Sequence, residues 1–281
     1  MRRFSFIRAA AAPACVLGLL LAADATAATA VTPAASADAL IARHVEARGG
    51  LDKLRALVTL KRTGRLEIPG FGIAFAVVEW KSKGTDYRQD VTLQGLTAVQ
   101  AYDGHDAWQI DPFQGRKDPS RMSADEAKAF ALAADLAGPF VDYQAKGHTV
   151  EYLGTEDLDG TPAHKLRVAL KSGDEATYWI DPDTWMVIRE LDRQTIRGAE
   201  QWSEVDYGEY ERVGGVYVAM TEDQGPKGSD ASRKQKLTYD TAEANPATAP
   251  TLFAFPKAQP AAAVEVTKCP ASRIWRARAR S

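Results

Sequence analysis

The chain has 281 residues, with 35 Lys and Arg against 37 Asp and Glu, a formal charge of −2 and two cysteines. This balance gives no support for a nucleic-acid partner. Of the two cysteines, Cys15 lies in the N-terminal apolar run and is expected to be lost with it. The one that remains, Cys269, allows neither an intrachain disulfide framework nor a cysteine metal cluster, so stability must come from an apolar core.

The N-terminus carries Arg2, Arg3 and Arg8, then runs uncharged from Ala9 to Ala23. That is the shape of a secretory signal peptide, and the run falls short of the roughly 20 apolar residues a spanning helix needs. Ala25-Thr26-Ala27 and Ala28-Thr29-Ala30 offer small-residue cleavage sites, so cleavage is expected between Ala27 and Ala30, and residues 1–30 are assigned to the leader. Cys15 leaves with it, and losing Arg2, Arg3, Arg8 and Asp24 moves the formal charge to −4. The expected destination is the periplasm of a Gram-negative bacterium. About 250 mature residues fit one large β domain, placed at 31–257, followed by an Ala/Arg-rich, disordered tail at 258–281.

Residues 37–57 read as a helix, with Leu40, Ile41, His44, Val45, Leu51, Leu54 and Leu57 near the helical period and a break at Gly49-Gly50. The period then becomes two. Val58, Leu60, Arg62, Gly64, Leu66 and Ile68 fall on one face of a strand, and Thr59, Lys61, Thr63, Arg65 and Glu67 on the other. Alternation recurs at 72–82, 86–94, 97–103, 148–156, 162–171, 175–181, 185–192, 200–210, 215–222 and 233–240. Turn residues such as Gly70-Phe71-Gly72, Asp159-Gly160 and Asp181-Pro182-Asp183 separate the runs and favour an antiparallel meander. One helix interrupts it: Ser123-Ala124-Asp125-Glu126 is a capping box and Gly138-Pro139 a stop, with Phe130, Ala134 and Leu136 or Ala137 facing the sheet. From Ala244 prolines argue against regular structure. Phe253 and Phe255 are expected to pin the start of that tail, whose Arg273, Arg276, Arg278 and Arg280 surround Ile274 and Trp275.

The chemistry of catalysis is not legible. His44, His105, His148 and His164 sit in different elements and none belongs to a two-histidine metal motif. His44 and Glu46 read as partly exposed polar residues on different sides of a helix. No nucleophile elbow is present, and Gly70-Phe71-Gly72 reads as a hairpin turn rather than a dinucleotide loop. Glu200, Glu204, Asp206, Glu209 and Glu211 read as a solvated strand face rather than a calcium cage. No catalytic residue, metal or cofactor is expected.

Several stretches, taken in order, carry a family resemblance. They are Ala42-Arg43-His44-Val45-Glu46-Ala47-Arg48-Gly49-Gly50, Tyr102-Asp103-Gly104-His105-Asp106-Ala107-Trp108, Gly138-Pro139-Phe140-Val141-Asp142-Tyr143 with Lys146-Gly147-His148, Gly154-Thr155-Glu156-Asp157-Leu158-Asp159-Gly160, Tyr178-Trp179-Ile180-Asp181-Pro182-Asp183-Thr184, and Leu252-Phe253-Ala254-Phe255-Pro256. Over roughly Ala39 to Lys257 the chain resembles the LolA/LolB-like superfamily, in particular the proteins of outer-membrane lipoprotein-sorting type. The resemblance implies a mainly β (α+β) fold: one curved antiparallel sheet forming an incomplete barrel of about eleven strands, with helices over the open side of a hydrophobic cavity. In the founding members that cavity receives lipoprotein acyl chains, and regulators with a similar fold sense envelope lipids or lipoproteins. The Arg-rich end after Pro256 has no counterpart, and for the arginine that closes the founding carrier's cavity Arg43 and Arg62 both remain open.

The expectation is therefore a monomeric, non-enzymatic periplasmic carrier of lipid or acylated lipoprotein, with an inner- or outer-membrane protein as a further partner. A lipid-responsive envelope sensor and a hydrolase of an envelope component are the alternatives. Expected ligand-binding residues on the concave face are Leu66, Ile68, Phe75, Val77, Tyr87, Val91, Leu93, Trp108, Phe130, Leu136, Phe140, Tyr152, Leu166, Val168, Tyr178, Ile180 and Trp202. Trp80, Trp179 and Trp185 are assigned to packing or the rim.

Overall fold

Ser36 caps α1 (Ala37–Ala47): its hydroxyl accepts the Ala39 N–H at 3.2 Å, which satisfies one of the helix's unpaired donors. The structure is a computed structural model that describes residues 36–83, 85–249 and 251–256. The leader, both cysteines and the 258–281 tail lie outside the described residues. Leu40, Ile41 and His44 form the buried stripe of α1. Gly49 and Gly50, at φ +121° and +88°, end it and turn the chain into α2 (Leu51–Ala56). Gly49 is required for a second reason, since a Cβ there would lie 2.3 Å from the Gly215 carbonyl oxygen.

Thirteen strands follow: β1 (Thr59–Ile68), β2 (Ile73–Ser82), β3 (Asp86–Leu93), β4 (Leu96–Asp103), β5 (Ala107–Asp111), β6 (Arg116–Arg121), and, after α3 (Ala124–Ala133), β7 (Thr149–Leu158), β8 (Thr161–Ala169), β9 (Glu175–Ile180), β10 (Val187–Ile196), β11 (Ala199–Val213), β12 (Val216–Pro226) and β13 (Gln235–Ala244). They form one antiparallel sheet in the order β6-β5-β4-β3-β2-β1-β13-β12-β11-β10-β9-β8-β7. The chain makes two meanders, and the β1–β13 pairing joins them. β6 and β7 are not paired to each other, so the sheet stays open, as the expected incomplete barrel requires.

The strand count corrects the expected eleven. β5 is only five residues long and stops at Pro112, and β6 reads Arg-Lys-Asp-Pro-Ser-Arg, without an apolar alternation to detect. Pro119 is tolerated because β6 is an edge strand, where a missing N–H costs no ladder bond. The second helix is also shorter than expected. The capping box forms as read, with Ser123 and Glu126 satisfying each other's backbone N–H groups, but α3 ends at Ala133. The chain then reverses at Gly138 (φ +87°), and Pro139 disfavours helical geometry in the residue before it.

The sheet is strongly curled. α3 touches β3, β4 and β5 and also β10, which lies several strands away in the sheet. At its N-terminus Asp125 and Glu126 bind Arg197, in the β10–β11 turn, at 3.2 and 2.8 Å. Elsewhere the concave face is covered in blocks. Leu40 and Ile41 of α1, with Phe140, bury Leu166, Val168, Ala176, Tyr178 and Ile180. Leu54 of α2, with Val141, belongs to the cluster that holds Leu60, Val216, Val218 and Tyr239.

Candidate functional site

Between the covered blocks a hollow of about 700 Å³ remains, bounded by the concave face and by α1, α3 and the 135–140 segment. Strand register explains its lining. One row of facing residues runs Gln100, Gln89, Glu79, Arg62 across β4 to β1, and all four border the hollow. From the other meander come Glu222 opposite Tyr207, and Val205 opposite Glu190 opposite Tyr178. The lining expected to be hydrophobic thus has a polar band through its middle.

Arg62 is the centre of that band. Its Nη2 lies 2.7 Å from both Glu79 Oε1 and Glu222 Oε1, its Nη1 donates to the Ala219 carbonyl at 2.8 Å, and its guanidinium lies 3.7 Å from the Tyr239 ring centroid. Burial disfavours its charge, but Glu222 and Glu79 outweigh that and hold it well above its ordinary pKa. Burial likewise opposes ionisation of Glu79, and Arg62 overrides it, so Glu79 is held down as a carboxylate. With 3 % of its surface exposed, Arg62 has every neighbour it needs from the protein itself.

A second polar group sits on β10. Glu190 accepts the Tyr178 hydroxyl at 2.9 Å and also the Tyr207 hydroxyl. Two residues on and on the same face, Asp192 is pushed well above the usual carboxylate range by burial and then by the Glu190 charge. On the helical side His44 is buried, which corrects its reading as partly exposed. It falls on the face of α1 that meets Phe140, 5.3 Å away edge-on, and its Nδ1 donates to the Trp185 carbonyl at 2.8 Å. Burial, and then the Arg48 charge, push it down to about 3.

The seventeen expected ligand residues separate into five environments. Tyr87, Leu136, Phe140, Tyr178 and Trp202 border the hollow. Tyr152, Leu166, Val168 and Ile180 lie on the concave face but are packed in the cluster beneath α1. Leu66, Phe75, Val77 and Val91 pack with Leu237 on the concave face, and Ile68 and Leu93 follow on the same face, half-buried at the hairpin ends. Phe130 seats α3 on Tyr87, with ring centroids 5.7 Å apart. Trp108 lies on the other side of the sheet: its row runs Trp108, Ala101, Arg88, Trp80, Lys61, one residue out of step with the Gln100–Arg62 row. There its indole donates to the Phe253 carbonyl at 2.8 Å and packs on Phe255, 6.1 Å away, so both phenylalanines pin the chain after β13. Trp202 borders the hollow but packs with Trp179 and Leu191 on the convex side.

Of the band's charged residues the sequence singled out only Arg62, as one of two candidates for the cavity-closing arginine, and a further signal for it was present. Arg62 occupies the otherwise apolar face of its strand between Leu60 and Leu66, and a charge in that position needs an explanation. The acidic strand β11 is not merely solvated either. Glu204 and Asp206 bind Lys234 at 2.8 and 2.5 Å, and Asp206 also binds Arg189, in a half-sheltered convex network. Among the described residues no group of three His, Cys, Asp or Glu is placed to hold a metal ion, and no helix is long and apolar enough to cross a membrane.

No family model and no curated protein sequence matches the chain. Solved structures do. A LolA superfamily protein from Nitrosomonas europaea aligns over 80 % of this chain and 99 % of its own, at 12 % identity and a TM-score of 0.52. A domain described as an outer membrane lipoprotein-sorting protein, from Vibrio parahaemolyticus, covers 77 % and 95 % at 10 % identity and 0.51. A DUF1329 family protein from Desulfovibrio piger covers 76 % and 95 % at 11 % identity and 0.52. The protein therefore has a LolA-like fold: an open, curled antiparallel sheet with helices across its mouth.

Proposed function

We propose that this protein is a non-catalytic periplasmic binding protein that carries a lipid, or the acyl chain of a lipoprotein, in the hollow between its sheet and its helices. The observation behind the reading is the hollow itself. It has the size of a small-molecule pocket, it is bounded by elements from both meanders, and one wall is a short helix and a loop rather than sheet. The fold is that of a protein described as lipoprotein-sorting, and the signal-peptide reading of residues 1–30 supplies the compartment. The mixed lining refines the expected cargo. Apolar side chains such as Leu132, Leu136 and Val187 border the same space as the polar band, which suits an amphiphile rather than a hydrocarbon alone. Each buried CH₂ contributes roughly 0.8 kcal/mol, so no chemical step is needed for tight retention, and release requires the α3 side to open or a receiver to compete.

Native mass spectrometry of the protein purified from a periplasmic extract without detergent tests this. One acyl-bearing molecule per chain, chemically unchanged, is the expected result. A bare chain that also rejects acyl probes would overturn the reading, and a bound lipid that is turned over would replace it with an enzyme.

A further inference from the structure

Among the described residues, the charges that border the hollow are answered by the protein or lie at its exposed edge, with one exception. Arg62 has Glu79 and Glu222, Lys81 lies 4.0 Å from Glu79, and Asp135 holds Lys146 at 2.6 Å. Glu190 takes two tyrosine hydroxyls, burial and Glu190 push Asp192 towards its protonated form, and Arg233 is exposed at the edge. Arg48 differs. It follows the last turn of α1 and borders the hollow, yet its guanidinium makes one hydrogen bond, from Nη1 to the Ala137 carbonyl at 2.8 Å. Among the described residues no carboxylate lies within 4.0 Å of it.

An unanswered guanidinium is a different problem from an unanswered carboxylate. It carries five N–H donors and cannot shed its proton at any physiological pH, whereas a carboxylate in the same hollow, such as Asp192, is pushed towards its protonated form. Arg48 is half-buried at the wall of the hollow; burial lowers its proton affinity, and Tyr210, Asp135 and Tyr207 offset this only in part. Its position is also built. The Arg48 carbonyl accepts the Tyr217 N–H at 2.9 Å, which fixes the backbone. Gly138 makes room for the head group, because a Cβ there would lie 2.9 Å from Nη1. Next to it His44 is neutral and adds no second positive charge.

We infer that Arg48 is the anion-binding group of the hollow, and that its ligand is an amphiphile with an acidic head, a carboxylate or a phosphate on an apolar chain. The inference rests on the ligand-binding reading above and adds the chemical class of the head. A planar guanidinium fork matches either anion in two parallel hydrogen bonds, and Leu60, Leu132, Leu136, Val187 and Val218 border the same hollow to take the chain. A cationic head finds no such opening: Glu79 and Glu222 are held by Arg62, and Glu190 by two hydroxyls.

The test is a set of binding titrations on the full mature chain with four probes of equal chain length: hexadecanoate, hexadecyl phosphate, hexadecanol and hexadecyltrimethylammonium. The expected result is that at least one of the two anions binds about tenfold or more tighter than the alcohol, and that the ammonium binds most weakly. Comparing the anions separates a fatty-acid head from a phosphate head. Arg48→Gln should reduce the anion-to-alcohol ratio to near one, the anions losing far more affinity than the alcohol, and Arg48→Lys should restore part of the ratio. The alcohol titration and thermal unfolding establish that each variant is folded. An alcohol bound as tightly as both anions, or a ratio unchanged in Arg48→Gln, would overturn the inference while leaving the carrier reading intact. Failure of all four probes to bind would overturn both.

Discussion

Two stretches of the same concave face have opposite fates. Over β7 to β9 the inward residues are Tyr152, Leu166, Val168, Ala176 and Ile180, and α1 with Phe140 lies directly on them. Over β1 to β4 and β10 to β12 the inward row includes Gln100, Gln89, Glu79, Arg62, Glu222 and Glu190, and there the hollow remains. The difference teaches that apolar inward residues recruit the protein's own helices, because burying them against helix is favourable by about 25 cal/mol per Å². Polar inward residues offer no such gain and stay beside open space. In this protein the more apolar part of the curved sheet is packed by helix, and the more polar part borders the hollow.

The largest effect should come from the band's one fully buried cation. Arg62→Leu leaves Glu79 and Glu222 without their partner, and a loss of about 3–5 kcal/mol is expected in urea denaturation. Adding Glu79→Leu and Glu222→Leu should recover most of that, because the cost lies in the unpaired charges. At the packed end Leu166→Ala, at a site with 0 % exposure, should cost about 2–5 kcal/mol. Gln89→Ala, in the lining, should change stability by no more than about 0.5 kcal/mol. Equal losses at the two sites would erase the distinction between packing and lining.

His44 sharpens the comparison through pH. Its folded pKa of about 3 lies below its ordinary value of 6.5, so between these values the unfolded chain binds a proton that the folded chain does not. Stability from this group is therefore present above pH 6.5 and is lost as pH falls towards 3, by up to about 1.4 kcal/mol per unit. His44→Gln should show a shallower decline between pH 6.5 and 4.5 in denaturant midpoints, with carboxylate contributions common to both proteins. A smaller effect is expected at the cover. Ser123→Ala should cost about 1 kcal/mol, read as faster hydrogen exchange in the first turn of α3.

Much of this was legible in the sequence, for reasons that particular elements make plain. The period-two runs place eleven strands because each has an apolar face to bury, and Gly49-Gly50 and Ser123-Glu126 are local signals that work without tertiary context. β5 and β6 escaped because a five-residue run and a charged edge strand carry no alternation. In the site, alternation identifies the inward face of a strand but not whether helix or solvent lies above it. Trp108 was placed inward by a one-residue slip in parity, and Leu166 and Val168 are inward but packed under α1. Arg62 carried a readable signal, a charge on an apolar face. Arg48 carried none, since its position depends on how α1 meets the Gly138 turn.

If the hollow receives a chain-bearing ligand, filling it with a side chain must weaken binding, which is measured by titrating a fluorescent acyl probe into the parent protein and two tryptophan variants. Val205→Trp adds its volume inside the hollow, and Arg65→Trp adds the same ring at an exposed convex site. Saturable one-to-one binding by the parent and by Arg65→Trp, with affinity lost at least about tenfold in Val205→Trp, is the predicted result. Binding that survives Val205→Trp unchanged would place the ligand elsewhere and contradict the account.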